Sequence, residues 1–269
     1  MLIDLHNHTK MCCHAEGEME EYVQAAISKK IGVMGFAEHS PWMPEQHIKM
    51  ALSWDEAPLY VQNVKKLQDQ YDREEKRRIK ILLGMEMDFV PELLDHPREF
   101  CQKYDFDYVI GSVHYIGAWG FDQDTQKKKF ELDSIREIYE RYFDLVKQLV
   151  QTGIFDIMGH VDLVKKFGYF PEQGWDDLQE ETARILGESD MVVELNASGM
   201  DKPVGEFYPG PDFLKRLKKY GVPMTLSSDA HKPREVGRYF DKAVILLKET
   251  GYREVFMFSK RKKIPVSLY

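Results

Sequence analysis

Nine side chains able to bind a divalent cation recur at comparable places along this chain of 269 residues. His6 and His8 are separated by one residue, as are Asp229 and His231. On an extended strand, residues two apart point to the same face, so each pair presents two donors together. His39, Glu86, His114 and His160 stand at or near the ends of short apolar runs, and His14 follows the first run by a loop. Imidazole combined with carboxylate suits zinc, manganese or iron and not an all-oxygen calcium site. These donors exceed what one ion can use. Two or three ions with about three or four protein ligands each fit the count and leave positions for water and substrate. His47 and His96 fall outside the pattern and read as ordinary loop or helix residues. Cys12 and Cys13 read as small buried hydrophobes near a turn rather than as thiolate ligands. No G-x-G-x-x-G follows an apolar run and no G-x-S-x-G elbow occurs, so dinucleotide and serine-nucleophile chemistry have no support.

The elements that must position these donors alternate along the chain. Apolar runs at 2–6, 33–39, 80–89, 107–114, 155–160, 191–196 and 223–231 read as strands. Amphipathic stretches near 18–30, 56–77, 92–103, 133–152, 176–188, 211–220 and 234–250 read as helices, and 254–259 offers one more strand. Continuous apolar runs are the pattern of parallel strands buried on both faces. Repeated strand–helix order predicts an α/β fold, either a βα barrel or a doubly wound sheet, with its chemistry at the C-terminal ends of the strands. No linker or low-complexity block divides the sequence, so residues 1–269 are expected to form one domain. The segment of about residues 40–78 is expected to cap the site. Within it, Trp42 is a candidate aromatic wall for substrate, with Glu45 or His47 facing an amine.

Composition narrows the function classes. Lys and Arg number 37 against 45 Asp and Glu, a formal net charge of −8. That balance argues against an extended nucleic-acid or anionic-membrane surface, although a local site can still oppose the global field. No apolar run approaches the ~18 residues that span a bilayer, and the start MLIDLHNH lacks the layout of a secretory signal. Three cysteines, two of them adjacent, make no disulfide framework, so a cytoplasmic protein is expected.

Taken together, DLHNHT at 4–9, His14 in CCHAEG, GFAEHS at 35–40, GMEMDF at 84–89, GSVH at 111–114, GHVDLV at 159–164 and SSDAH at 227–231 resemble the successive signatures of the PHP (polymerase and histidinol phosphatase) superfamily. The resemblance covers nearly the whole chain. It implies a distorted seven-stranded, TIM-like (β/α)7 barrel with a trinuclear metal centre at the C-terminal rim. By position, it implies that His6, His8, Glu86 and Asp229 hold the first of three divalent ions (zinc, manganese or iron). Glu86 would bridge to the second, completed by His114 and His160, while His14, His39 and His231 would hold the third.

The length, and the segment ELNASGMDKPVGEFYP at 194–209, look most like the histidinol-phosphatase branch. That branch removes phosphate from L-histidinol phosphate in histidine biosynthesis. The implied mechanism is in-line attack by a metal-bridged hydroxide, with Glu86, Asp229 and His231 as the catalytic side chains. Lys202 is the first candidate for the phosphate contact, and Lys165 and Lys166 are the next. Other phosphoesterases of the superfamily, acting on phosphotyrosine, nucleotides or nucleic-acid ends, are the alternative. A non-catalytic metal-binding regulatory module is the alternative of another class.

Overall fold

The computed structural model describes residues 1–41, 50–72 and 78–269. Seven parallel strands form the centre, in the order β1 (Leu2–Asp4), β2 (Ile31–His39), β3 (Lys80–Asp88), β4 (Tyr108–Ser112), β7 (Ile157–Met158), β8 (Val192–Asn196) and β9 (Met224–Ser227). They close into a TIM-like barrel. Leu5 N–H donates to Leu226 O at 3.1 Å, and beyond the strand ends His8 N–H donates to Ala230 O at 2.9 Å. Helices α1 (Met19–Ser28), α2 (Ala57–Tyr71), α3 (Asp95–Lys103), α4 (Ile135–Gln151), α5 (Asp176–Gly187), α6 (Pro211–Lys219) and α7 (Phe240–Thr250) follow the strands around the outside. The strand–helix pattern alone left barrel and doubly wound sheet open, and the family resemblance implied the barrel; closure of β1 on β9 bears that out.

The strand runs are buried on both faces because inner residues fill the barrel and outer ones meet the helices. Helix α4 shows the matching pattern: Ile138, Tyr139, Tyr142, Phe143, Val146, Leu149 and Val150 are buried, the three-and-four spacing of an amphipathic helix. Its start is fixed by Ser134, whose side chain accepts from Glu137 N–H. Inside the barrel, Tyr108 is fully buried and its hydroxyl donates to Leu5 O at 2.5 Å. Gly35 and Gly84 make room for that ring, since a Cβ on either would lie within 2.0 and 2.4 Å of it respectively.

Two short hairpins add to the expected series. β5 (Tyr115–Ile116) and β6 (Trp119–Gly120) pair antiparallel directly after β4, at the C-terminal rim. The extra run at 254–259 forms β10 (Glu254–Ser259), which pairs antiparallel with β11 (Lys262–Ser267). The turn between them lies at the opposite end of the barrel, where Arg261 N–H donates to Asp107 O at 2.8 Å and the Arg261 guanidinium pairs with Asp156. Among the described residues, no helix is long and apolar enough to cross a membrane.

Candidate metal centre

Strand register brings the donors together. In the β2–β3 pair His39 lies beside Glu86, and in the β3–β4 pair Asp88 lies beside Ser112, two residues before His114. Beyond β1, Asn7 bridges in parallel to Ala230, which sets His6 and His8 against Asp229 and His231. His8 Nε2 is 3.2 Å from His6 Nε2 and 3.2 Å from Asp229 Oδ1. His6 Nε2 is 3.3 Å from Glu86 Oε2. On the other side of the same carboxylate, Oε1 lies 3.1 Å from His160 Nε2 and 3.7 Å from His114 Nε2, and these two rings approach to 3.2 Å. Glu86 therefore turns one oxygen to each of two donor sets. His14 Nε2 and His231 Nε2 are 3.0 Å apart. His39 belongs to a group with His8 and His231, while its Nδ1 lies 2.9 Å from Glu86 Oε2. All nine expected donors thus gather at one rim. The expected His14–His39–His231 trio is present as overlapping neighbours rather than as one tight group.

These donors fit divalent ions. Ligand atoms about 2.0–2.1 Å from an ion stand roughly 2.8–3.4 Å from one another in octahedral or tetrahedral arrangements, and most separations above fall in or near that range. Protonation points the same way. Nδ1 of His14 faces Cys12 O at 3.1 Å and Nδ1 of His231 faces Asp229 O at 3.2 Å. A carbonyl only accepts, so these partners assign the proton to each Nδ1 and leave two Nε2 lone pairs facing each other. Nδ1 of His6 meets Glu194 at 3.0 Å and Nδ1 of His8 meets Glu38 at 3.2 Å, which turns the Nε2 atoms of that pair toward each other as well. Facing lone pairs repel, and a cation shared between them makes the arrangement favourable. Glu86 Oε2 is also buried, and the described nitrogens around it are the imidazoles of His39, His6 and His8, at 2.9, 3.3 and 3.6 Å.

Electrostatics reinforce the geometry. Glu38, Glu86 and Glu194 are buried and Asp229 is half-buried, and among the described residues none of the four is ion-paired with a lysine or arginine. Burial lowers the basicity of His6, but Glu194, Glu86 and Asp229 outweigh it and raise its pKa well above the usual imidazole value. For His8, burial is likewise outweighed by its bonds to Asp229 and Glu38, and the pKa rises to about 9. These carboxylates call for positive charge. By contrast, desolvation of its inner edge together with His39 and His8 lowers His14 to about 4 although part of the ring is exposed, so that ring is neutral at physiological pH.

The outer carboxylates carried a sequence signal that position alone did not turn into a role. Glu38, Asp88 and Glu194 sit at the ends of otherwise apolar runs, where a charge needs a partner. Glu194 accepts from His160 N–H, Asn196 and Ser227 besides meeting His6. Asp88 meets His114 Nδ1 at 2.7 Å. These bonds fix ring orientation and tautomer, as partners of ligating histidines do. Arg238 had no sequence signal, lying in a turn between Gly237 and Tyr239.

A cavity of about 800 Å³ opens over the cluster, with Trp54, Lys166, Lys202, Tyr208 and Arg238 in its wall. Lys202 is exposed there and makes no ion pair among the described residues. Lys166 donates to Asp122 O at 2.6 Å. Lys165 does not line the cavity, contrary to expectation. It is fully buried, and its ammonium pairs with Asp162 and Glu206 at 2.9 Å each and donates to Phe207 O. The 163–165 segment is a 3-10 turn with about three residues per turn, so Lys165 at its end is directed inward and Lys166 just after it toward the cavity. Trp42, Glu45 and His47 lie outside the described residues. Trp54 is one described aromatic of the cavity wall, stacked on His96 with ring centroids 4.7 Å apart. Cys12 is buried as expected, but Cys13 is exposed.

Comparison with known proteins gives concordant results. The pattern of the PHP domain matches residues 4–198, and that of a PHP-associated region matches 214–241. A probable histidinol-phosphatase of Deinococcus radiodurans is 34% identical over 98% of this chain and 99% of its own length. A histidinol-phosphatase of Bacillus subtilis is 26% identical over 88% of this chain and 96% of its own. Among solved structures, histidinol phosphate phosphatase from Lactococcus lactis, complexed with zinc, L-histidinol and phosphate, superimposes with a TM-score of 0.84. It is 25% identical, and the match covers 98% of both chains.

Proposed function

This chain belongs to the PHP domain family, and on that premise we propose that it is a metal-dependent histidinol-phosphatase, hydrolysing L-histidinol phosphate to L-histidinol and phosphate. The observation that carries the reading is the set of facing ring nitrogens around Glu86, together with near full-length similarity to histidinol-phosphatases. The donor types suit zinc, manganese and iron alike.

We assign His6, His8, Glu86 and Asp229 to one ion, Glu86 with His114 and His160 to a second, and His14, His39 and His231 to a third. Divalent ions there supply acidification of water and neutralisation of charge on phosphate oxygens. The chain's own residues do the rest. Glu86 spans two donor sets with its two oxygens, and Ser112 holds one of these through a hydrogen bond of 2.6 Å. Asn196 and Ser198 hold Asp229 Oδ2, at 3.3 and 3.2 Å, and leave Oδ1 toward His8. Glu86, Asp229 and His231 are the side chains we assign to the reacting centre. Lys202 is the cation free to meet the phosphate, because its acidic neighbour Asp201 is engaged by Arg238 and Tyr239. A small phosphorylated substrate fits the cavity, and the free thiols suit a reducing cytoplasm.

The test is a side-by-side comparison of kcat/KM on histidinol phosphate, a phosphotyrosine peptide, a nucleoside monophosphate and a short oligonucleotide. Histidinol phosphate is expected to be best by at least about tenfold, or roughly 1.4 kcal/mol of differential transition-state binding. A better rate on any other member of the panel overturns the substrate assignment.

A further inference from the structure

Asp229 adopts a left-handed backbone, with φ 50°, a conformation uncommon outside glycine, although aspartate tolerates it better than most residues. Arg238 holds the backbone there. Its Nε donates to Ser228 O at 2.8 Å and its Nη2 to Asp229 O at 2.6 Å, so one guanidinium grips two successive carbonyls. Nη1 donates to Asp201 Oδ2 at 3.0 Å, and the other oxygen of Asp201 accepts from the Tyr239 hydroxyl at 2.5 Å. The guanidinium is only 12% exposed. Asp201 stands in the same turn as Ser198, which holds the Asp229 carboxylate. The turn at 198–201 and Arg238 therefore hold Asp229 from two sides, side chain and backbone.

We propose that Arg238 is a positioning residue: braced by Asp201, it fixes the left-handed turn at Asp229, aims Oδ1 at His6 and His8, and so sets the affinity of that ion site. The inference rests on the metal reading above, and it gives Asp201 a role of its own beside Lys202. The planar fork is what the task requires. A lysine ammonium at the same place lacks a rigid geometry with which to hold two carbonyls and a carboxylate at once.

The experiment titrates metal-stripped wild-type protein, Arg238→Met, Arg238→Lys and Asp201→Asn with Co²⁺ against a competing chelator. Cobalt absorption is followed, and the thermal midpoint of each stripped protein and KM for histidinol phosphate are measured alongside. In Arg238→Met one ion is expected to bind about 10–100-fold more weakly. Arg238→Lys should recover only part of that loss, and Asp201→Asn should show a smaller one in the same site. Unchanged affinity in Arg238→Met overturns the proposal, whether the thermal midpoint falls (a purely structural role) or KM rises (a direct substrate contact). If Arg238→Met does not fold, equal affinity in Arg238→Lys, Asp201→Asn and wild type overturns it. No cobalt binding to the wild-type protein overturns the metal reading itself, whereas equal tight binding to all variants removes only this inference.

Discussion

Two groups of buried charge lie near the same rim and differ in how their charge is closed. Around Lys165, the chain supplies both signs. The ammonium meets Asp162 and Glu206 at 2.9 Å each, and Asp162 also accepts from Gly210 N–H. Only the second oxygen of Asp162 is left without a hydrogen bond. Around Glu86, the described residues supply carboxylates and imidazoles but no ammonium or guanidinium, and ring nitrogens face one another. A buried charge without a partner is costly, so folding tolerates it where a partner arrives from outside. The closed group is complete as architecture; the open one is complete with cations.

The sharpest way to break this contrast is to remove the carboxylate that both donor sets share. Glu86→Gln keeps the shape but loses the charge, and it is expected to lower kcat/KM by at least about 10³-fold, some 4 kcal/mol of transition-state stabilisation. Metal content measured on the purified variant should fall by at least one ion. A variant with normal metal content and normal rate would erase the distinction between the two groups.

The matching change in the closed group should act on stability instead. Lys165→Met leaves Asp162 buried without its cation, a loss of about 3–5 kcal/mol for breaking a buried pair. Urea unfolding should register it, while metal content stays normal and kcat/KM of the folded protein stays within about threefold. Adding Asp162→Asn to Lys165→Met should restore part of the stability. A fall in metal content in the single variant would mean that the two groups are coupled.

These expectations show what a sequence discloses. Eight of the nine donors were legible because they stand at or near the end of an apolar run, where a polar residue interrupts a strong pattern, and His14 was read from the loop after the first run. The strand–helix architecture was legible from seven such runs, but barrel closure depends on β1 meeting β9 across most of the chain, which no local pattern encodes. Glu38 and Glu194 were visible as strand-end acids, yet their role required knowing that His8 and His6 turn Nδ1 toward them. Lys165 and Lys166 are identical neighbours in the sequence. One turn of backbone sends the first into the closed group and the second to the cavity, and only coordinates separate them. Arg238 was illegible because a carbonyl clasp leaves no mark on residue type.

A smaller effect sharpens the comparison at the cavity wall. Lys202→Gln removes the exposed cation assigned to the phosphate, and KM for histidinol phosphate should rise by about tenfold, roughly 1.4 kcal/mol, with a lesser change in kcat. Steady-state kinetics read this directly, and an unchanged KM would take Lys202 out of the substrate contact.

The central claim, that the open group is completed by cations and thereby hydrolyses a phosphomonoester, meets its most direct test in reconstitution. Protein stripped of metal, with the removal verified by elemental analysis, is titrated with zinc or manganese while phosphate release from histidinol phosphate is followed. The account predicts no release at the start, a rise with loading, and saturation at three ions per chain. Full activity in the stripped protein, or saturation of activity without any bound ion, would contradict it.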